Sequence, residues 1–225
     1  MLLFIKRVVS RLPERWQNEM KRIYFARQIK KSKFITDEPE YAILDKLIKA
    51  GDWVIDVGAN VGHYTKRFSD LVGSSGRVIA FEPVPETFAL LAANAELFVH
   101  KNVTLINAAV SDHMDTVGIS IPKFATGLTN YYEACVSAKE AGSLTVLSVS
   151  VDDFHIEQKV ALIKIDAEGH ELFVLAGMQR LVEKDRPCLI VENPSDEIQG
   201  NLSKLGYASK RLPGSPNMLF QYNTV

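Results

Sequence analysis

The chain of 225 residues (25.1 kDa) is 47% hydrophobic and 24% charged with a net charge of −1, an ordinary composition that suits one soluble domain with modest additions. Two cysteines, Cys135 and Cys188, exclude a disulfide framework and lack metal-ligand spacing, which points to a reducing compartment and a cytoplasmic location. No apolar run is long enough to span a membrane, and MLLFI ahead of Lys6 and Arg7 is too short for the core of a signal peptide.

Charge is unevenly placed. Residues 1–34 hold ten Lys or Arg against Glu14 and Glu19, a net +8, which leaves 16 basic against 25 acidic residues, net −9, in the rest. The basic arm reads as an N-terminal helix, either solvated or docked on its own domain. Alternatively, Leu2, Leu3, Ile5, Val8, Val9 and Leu12 with basic residues between them make it a peripheral contact for an anionic membrane or a partner.

From about residue 35 the chain becomes acidic, and Thr36 or Asp37 is placed to cap a helix that has Pro39 in its first turn. That helix would carry Tyr41, Leu44, Leu47 and Ile48 on one stripe and stop at Gly51. Short apolar runs then alternate with helix-period segments: WVIDV before 62–72, RVIAFE before 85–98, VTLINAAV, ALIKID before 170–183, and CLIVEN before 196–205. Runs apolar on both faces are strands of a parallel sheet covered on both sides, which predicts a Rossmann-like, doubly wound α/β fold of three layers. YASKRL and MLFQYN, joined by PGSPN, predict a terminal hairpin and hence one antiparallel strand in a mostly parallel sheet. Residues 112–160 interrupt the alternation with VGISIP and LTVLSVSV. They read as an insertion in a domain spanning 35–225, placed over the carboxyl ends of the strands, where open α/β sheets bind ligands.

The segment VIDVGANVGHYT, 54–65, is a glycine-bearing turn from the first strand into a helix, a local structure that lets backbone approach a ligand. A dinucleotide site would read G-x-G-x-x-G, but here the middle glycine is replaced by Asn60 between Gly58 and Gly62, and Asp56 would repel a diphosphate. A carboxylate there suits an ammonium or a sulfonium, and S-adenosylmethionine carries both with no phosphate. Glu82 ends the second strand, where an acid accepts both ribose hydroxyls of an adenosine, and Pro83 stiffens its turn. The expected cofactor contacts are therefore Asp56, Gly58, Ala59, Asn60, Gly62, His63 and Tyr64, then Glu82 and Pro83, then Asn107, Ala108 and Ala109 beside the adenine, with Asp166 near the transferred methyl.

DVGANVGHYT, FEPVP, SVSVDDF and, most specifically, LIKIDAEGHEL resemble the motifs of the FkbM-type methyltransferases, a branch of the class I S-adenosylmethionine-dependent fold, from about residue 52 to 193. The resemblance implies a seven-stranded sheet with the reversed strand and methylation of hydroxyl oxygens on sugars or natural products. Residues 123–145 depart from the family pattern, as does the basic arm.

Alternation along ALIKIDAEGHE puts Lys164 and Asp166 on one side of a strand, and a lysine buried there needs a carboxylate: Asp166, Asp152, Asp153 or Glu192. Methyl transfer to oxygen needs a group that aligns the hydroxyl and accepts its proton. Asp166, Glu168, Glu192, His170 and Lys164 are the candidates for catalysis, Lys164 equally as a structural ion pair beneath the site, with Glu171 structural at a helix start; Tyr131 and Tyr132 of the insertion either stack on a sugar or are ordinary lid packing. The same crowded acids suit a divalent cation, which the sequence does not separate from proton transfer. The acceptor is expected to be a small molecule or glycan with a free hydroxyl. The rivals are an RNA ribose 2′-hydroxyl methyltransferase, against which the acidic body argues, and an NAD-binding Rossmann protein.

Overall fold

A computed structural model describes residues 12–122, 124, 129–131, 134–137 and 144–223. Its centre is a seven-stranded sheet built from β1 (Trp53–Val57), β2 (Arg77–Phe81), β3 (Val103–Ile106), β8 (Val160–Ile165), β9 (Cys188–Glu192), β10 (Tyr207–Arg211) and β11 (Asn217–Tyr222). The spatial order is β10-β11-β9-β8-β1-β2-β3, and every neighbour pair is parallel except those made by β11, which runs against both β10 and β9. The mostly parallel sheet with one reversed strand is the arrangement expected.

Strand alternation divides the core. Ile55, Val57, Ile79, Phe81, Ile163 and Ile165 face one side, where α5 (Glu171–Ala176), α6 (Gln179–Asp185) and α7 (Asp196–Lys204) bring Val174, Leu181, Val182, Ile198 and Leu202. Val54, Val78 and Leu162 face the other, against Leu44 of α2 (Leu44–Leu47) and Tyr64, Phe68 and Val72 of α3 (His63–Val72). Leu91 of α4 (Pro85–Ala95) completes that layer against Ala59 and Ala80. The first helix, α1 (Glu14–Lys30), packs outside α4 and buries Phe25 and Ile29 with Phe34, Val61, Leu90 and Phe98. The arm's described part is therefore docked on its own chain; Leu2, Leu3, Ile5, Val8 and Val9 lie outside the described residues.

Four details differ from the sequence expectation. VTLINAAV is not one strand: it leaves the main sheet after Ile106, and β4 (Ala109–Val110) joins a second sheet of order β4-β7-β5-β6, with β5 (Asp115–Ser120), β6 (Cys135–Ser137) and β7 (Leu144–Val149). The helix expected from 36 to 51 is a 3-10 turn, Pro39–Ile43, followed by α2, with Glu38 rather than Thr36 or Asp37 at its cap position. The irregularity has a cause, since Glu40 is pulled inward to accept a hydrogen bond from the Asn217 side chain and is fully buried. The helix expected from 170 to 183 breaks at Gly177, where a Cβ would lie 1.9 Å from the Ser111 carbonyl oxygen and where Ser150 and Asp152 donate to the freed Gly177 carbonyl. The helix expected over 85–98 ends at Ala95.

Candidate active site

The carboxyl ends of β1, β2, β8 and β9 open on a cleft of ≈ 240 Å³, walled on its far side by Ile119, Tyr131, Ala134 and Val136 of the second sheet and its connections. An adjoining hollow of ≈ 370 Å³ shares Glu38, Gly58, Asn60 and Asp166 with it and is lined further by Asp37, Asp56, Ala59, His63, Tyr64 and Lys164. Tyr132 lies outside the described residues.

The turn after β1 is closed by its own hydrogen bonds. Gly58 N and Ala59 N donate to Phe81 O at 3.0 and 2.9 Å, Asn60 N to Glu82 Oε2 at 2.9 Å, Val61 N to Asn60 Oδ1 at 2.8 Å, and Gly62 N to Ala59 O at 2.9 Å. Every amide from 58 to 62 already has an acceptor, so the turn offers no cradle of free N–H groups to a diphosphate. Gly58 lines both hollows at φ 77°, and a Cβ there would sit 1.9 Å from Asp166 O, so glycine permits the close approach of this turn to the end of β8. Gly62, at φ 97°, lines neither hollow and lets α3 start against Leu91 Cδ1, 2.6 Å from where its Cβ would be.

The hollow beside this turn is acidic. Asp56 is fully buried, accepts from Thr65 Oγ1 at 2.6 Å, and leaves Oδ1 without a protein partner among the described residues. Burial, opposed by Lys164 and the Thr65 bond, pushes its carboxyl up to about 6. Tyr64 donates its hydroxyl toward Glu38 at 2.5 Å and stands 3.0 Å from Glu40, so one phenol proton serves two carboxyl groups. His63 stacks on Phe34 with ring centroids 4.1 Å apart, and burial lowers its imidazole to about 4, so it adds no positive charge at neutral pH. Lys164 is the cation of this hollow.

Glu82 lies at the end of β2, 5% exposed, with Oε2 held by Asn60 N and Oε1 by Val84 N, both at 2.9 Å. Burial raises its carboxyl to about 7 against the pull of those two bonds. Each carboxylate oxygen keeps a further lone pair for a donor in the cleft. Pro83, Ala108 and Ala109 also line the cleft, with Phe81, Val84 and Val110. Asn107 does not: its amide donates to Glu82 O at 2.8 Å and Pro83 O at 3.1 Å, stapling the turn that carries Glu82.

At the opposite lip stands the acid cluster of the IDAEGHE motif. Lys164 Nζ donates to Asp166 Oδ2 at 2.7 Å, lies 4.6 Å from the Tyr64 ring centre, and sits opposite Asp56 in the β1–β8 register. Burial alone would lower its pKa, but Asp166 and Asp56 outweigh burial and raise it, so the ammonium is charged. Burial likewise raises Asp166, but Lys164 and a hydrogen bond with Glu192 win, and its carboxyl falls below the ordinary value. Glu192 moves the other way, up to about 9, through that hydrogen bond, burial and the negative charge of Asp166 and Glu168. The pair thus shares one proton at neutral pH, drawn toward Glu192 by the ammonium of Lys164 beside Asp166.

Oxygens of Asp166, Glu168 and Glu192 lie within 4.8 Å of one another, a spacing a hard divalent cation accepts. Lys164 and the shared proton already offset part of that charge. Glu168 is exposed at φ 49°, and the turn it heads is held by Glu171, whose Oε1 accepts from Gly169 N at 2.9 Å and Ala167 N at 3.3 Å, a structural duty. His170 lines the cleft, stacks on Phe173, and meets Ser111 Oγ at 3.0 Å through Nε2. Asp152, a possible partner of Lys164 by sequence, instead accepts from Arg180 N and Leu181 N and caps α6. Glu38, which lines both hollows, had no signal in the sequence because its partner Tyr64 is 26 residues away.

Residues 56–209 match the family pattern described as Methyltransferase FkbM domain. The chain is 30% identical over 135 residues to the hexuronic acid methyltransferase AglP of Haloferax volcanii, an overlap of 59% of this chain and 52% of that protein. It is 30% identical over 162 residues to the 31-O-demethyl-FK506 methyltransferase FkbM of Streptomyces tacrolimicus, an overlap of 59% and 61%. These overlaps take in less than two thirds of either relative. Among solved structures, methyltransferase FkbM from Methylobacillus flagellatus KT superposes with a TM-score of 0.55 at 15% identity, over 90% of this chain and 59% of that one. Aeropyrum pernix fibrillarin with natively bound S-adenosyl-L-methionine superposes at 0.50 and 16% identity, over 81% and 73%, a likeness of fold.

Proposed function

The chain belongs to the FkbM methyltransferase family, and on that premise we propose that it moves the methyl group of S-adenosylmethionine to a hydroxyl of a sugar or related small-molecule or glycan acceptor. One observation carries the reading: a turn whose amides are all engaged from 58 to 62 adjoins a hollow lined by Asp37, Glu38, Asp56 and Asp166. Such a site suits an adenosine compound that bears positive charge and no phosphate.

When bound, S-adenosylmethionine supplies an electrophilic methyl group on a sulfonium. Glu82 is placed to accept the two ribose hydroxyls, and Phe81, Val84, Ala108, Ala109 and Val110 give the apolar walls of an adenine slot. Asp56 and Glu38 hold negative charge where an ammonium would be received. Asp166, kept ionised by Lys164, orients the acceptor hydroxyl and takes its proton at a carboxylate oxygen. Glu192 keeps its own proton and donates to Asp166 until the acceptor hydroxyl replaces that bond. Glu168 and His170 flank the acceptor side, and Tyr131 offers it an aromatic wall.

A second reading, ribose 2′-hydroxyl methylation of RNA, draws on the contiguity of Lys164, Asp166 and Glu192. The acidic lining disfavours a polyanionic acceptor. Incubation with methyl-labelled S-adenosylmethionine, a panel of neutral and uronic sugars, and RNA distinguishes them. Label recovered as a sugar methyl ether supports the proposal; label on RNA ribose, or on nitrogen, overturns it.

A further inference from the structure

The helix α1 is apolar on two faces, and the fold uses one of them. Phe25 and Ile29 are 8% and 9% exposed, buried against α4 and the turn after β1. On the other side Trp16, Met20, Ile23 and Tyr24 are 56%, 46%, 45% and 57% exposed. At about 100° per residue these four fall within an arc of about 100°, centred about 180° from Phe25 and Ile29. Leu12, just ahead of the helix, is also exposed. Single exposed apolar residues are ordinary, but a stripe of four large ones along one helix face is not required for docking that the opposite face already secures. Basic residues lie beside it, all exposed: Arg15, whose guanidinium stands 6.0 Å from the Trp16 ring centre, and Arg27, Lys30 and Lys31 toward the carboxyl end. Arg22 falls on the side of Phe25 and Ile29 and pairs with Glu19 at 3.4 Å.

We propose that α1 lays this stripe on an anionic lipid bilayer, with the bordering Arg and Lys side chains among the headgroup phosphates. The charge pattern selects this occupant. By sequence, residues 1–34 sum to +8 and the rest of the chain to −9, so the cationic charge a surface anchor requires is concentrated in the arm. Trp and Tyr beside Met and Ile are suited to the boundary between acyl chains and headgroups, where an amphipathic ring is half wet. A second copy meeting the same face by a twofold axis would oppose two arms of like charge, and RNA would find Met20 and Ile23 in the middle of its contact. Among the described residues no helix is long and apolar enough to cross a membrane, so the contact is one of lying on the surface. The docking is independent of which acceptor is methylated. Lys21 of the same helix stands 4.9 Å from the ring centre of Tyr131, so the face turned to the bilayer and the cleft wall belong to one connected unit.

The test is sedimentation of the full chain with phosphatidylglycerol vesicles and with phosphatidylcholine vesicles, with Trp16 fluorescence read in parallel. Binding to the anionic vesicles with a blue shift is expected, lost by about tenfold or more in affinity on Trp16→Ser/Met20→Ser/Ile23→Ser and on Arg15→Glu/Arg27→Glu/Lys30→Glu. The substituted side chains are exposed, and unchanged melting temperatures would show that the variants fold. No binding, equal binding to both lipids, or retention by the triple serine variant overturns the proposal. So does a dimer that those serines dissolve, or an RNA complex that outcompetes the anionic vesicles.

Discussion

Lys164 and Asp166 stand two residues apart on the end of β8, with the ammonium 2.7 Å from the carboxylate and the lysine 2% exposed. Breaking a buried pair leaves one charge unpaired, so Lys164→Met should cost about 3–5 kcal/mol of stability. Denaturant unfolding of the variant checks it. The same change should raise the Asp166 pKa, since the ammonium that holds it down is gone, and move the acid limb of the pH–rate profile upward.

Asp166→Asn and Glu192→Gln should part company. If Asp166 takes the acceptor proton, its amide variant loses on the order of a hundredfold or more in kcat, with the affinity for S-adenosylhomocysteine kept. Glutamine at 192 still donates to Asp166, as the protonated acid does at neutral pH, so Glu192→Gln should stay within about tenfold of the parent. Steady-state rates beside calorimetric binding constants read both. A large loss in Glu192→Gln with Asp166→Asn little affected would mean that Glu192, not Asp166, moves the proton.

Glu82 gives the cofactor affinity a pH dependence whose sign follows from its pKa of about 7. Ribose hydroxyls donate to the ionised carboxylate, so below pH 7 binding must first expel a proton. The affinity for S-adenosylhomocysteine should therefore fall by up to about tenfold per pH unit from 7 toward 6, and stay level above 7. Below about 6, Asp56 adds to the slope. Glu82→Gln should weaken binding and flatten the segment between 6 and 7.

Tyr131 walls the cleft opposite the cofactor turn, where the acceptor would enter. Tyr131→Ala should raise the acceptor KM by about tenfold while leaving cofactor affinity unchanged. A loss of cofactor affinity instead would move Tyr131 into the adenosine site.

What was legible beforehand was local in the chain. The parallel strands announced themselves as short apolar runs. Two-residue alternation put Lys164 and Asp166 on one face, with Asp166 one of four carboxylates open as the lysine's partner, and the replaced middle glycine of the first turn already spoke against a diphosphate. What escaped depends on contacts distant in sequence. Glu38 meets Tyr64 across 26 residues and Glu40 meets Asn217 across 177, so the periodicity around Pro39 read as a plain helix when two of its acids were being drawn inward. Gly177 looked like an ordinary helix residue because the Ser111 backbone that excludes a side chain there comes from another segment. Asn107 was assigned to the adenine by its place after β3, whereas the neighbouring carbonyls of Glu82 and Pro83 claim its amide.

Whether the site takes an adenosine compound bearing an ammonium and no diphosphate is decided by calorimetric titration of the full chain with S-adenosylhomocysteine and, separately, with NAD. Saturable heat is expected with S-adenosylhomocysteine, abolished or strongly weakened by Glu82→Ala and Asp56→Ala, and none with NAD. Saturable heat with NAD and none with S-adenosylhomocysteine would contradict it.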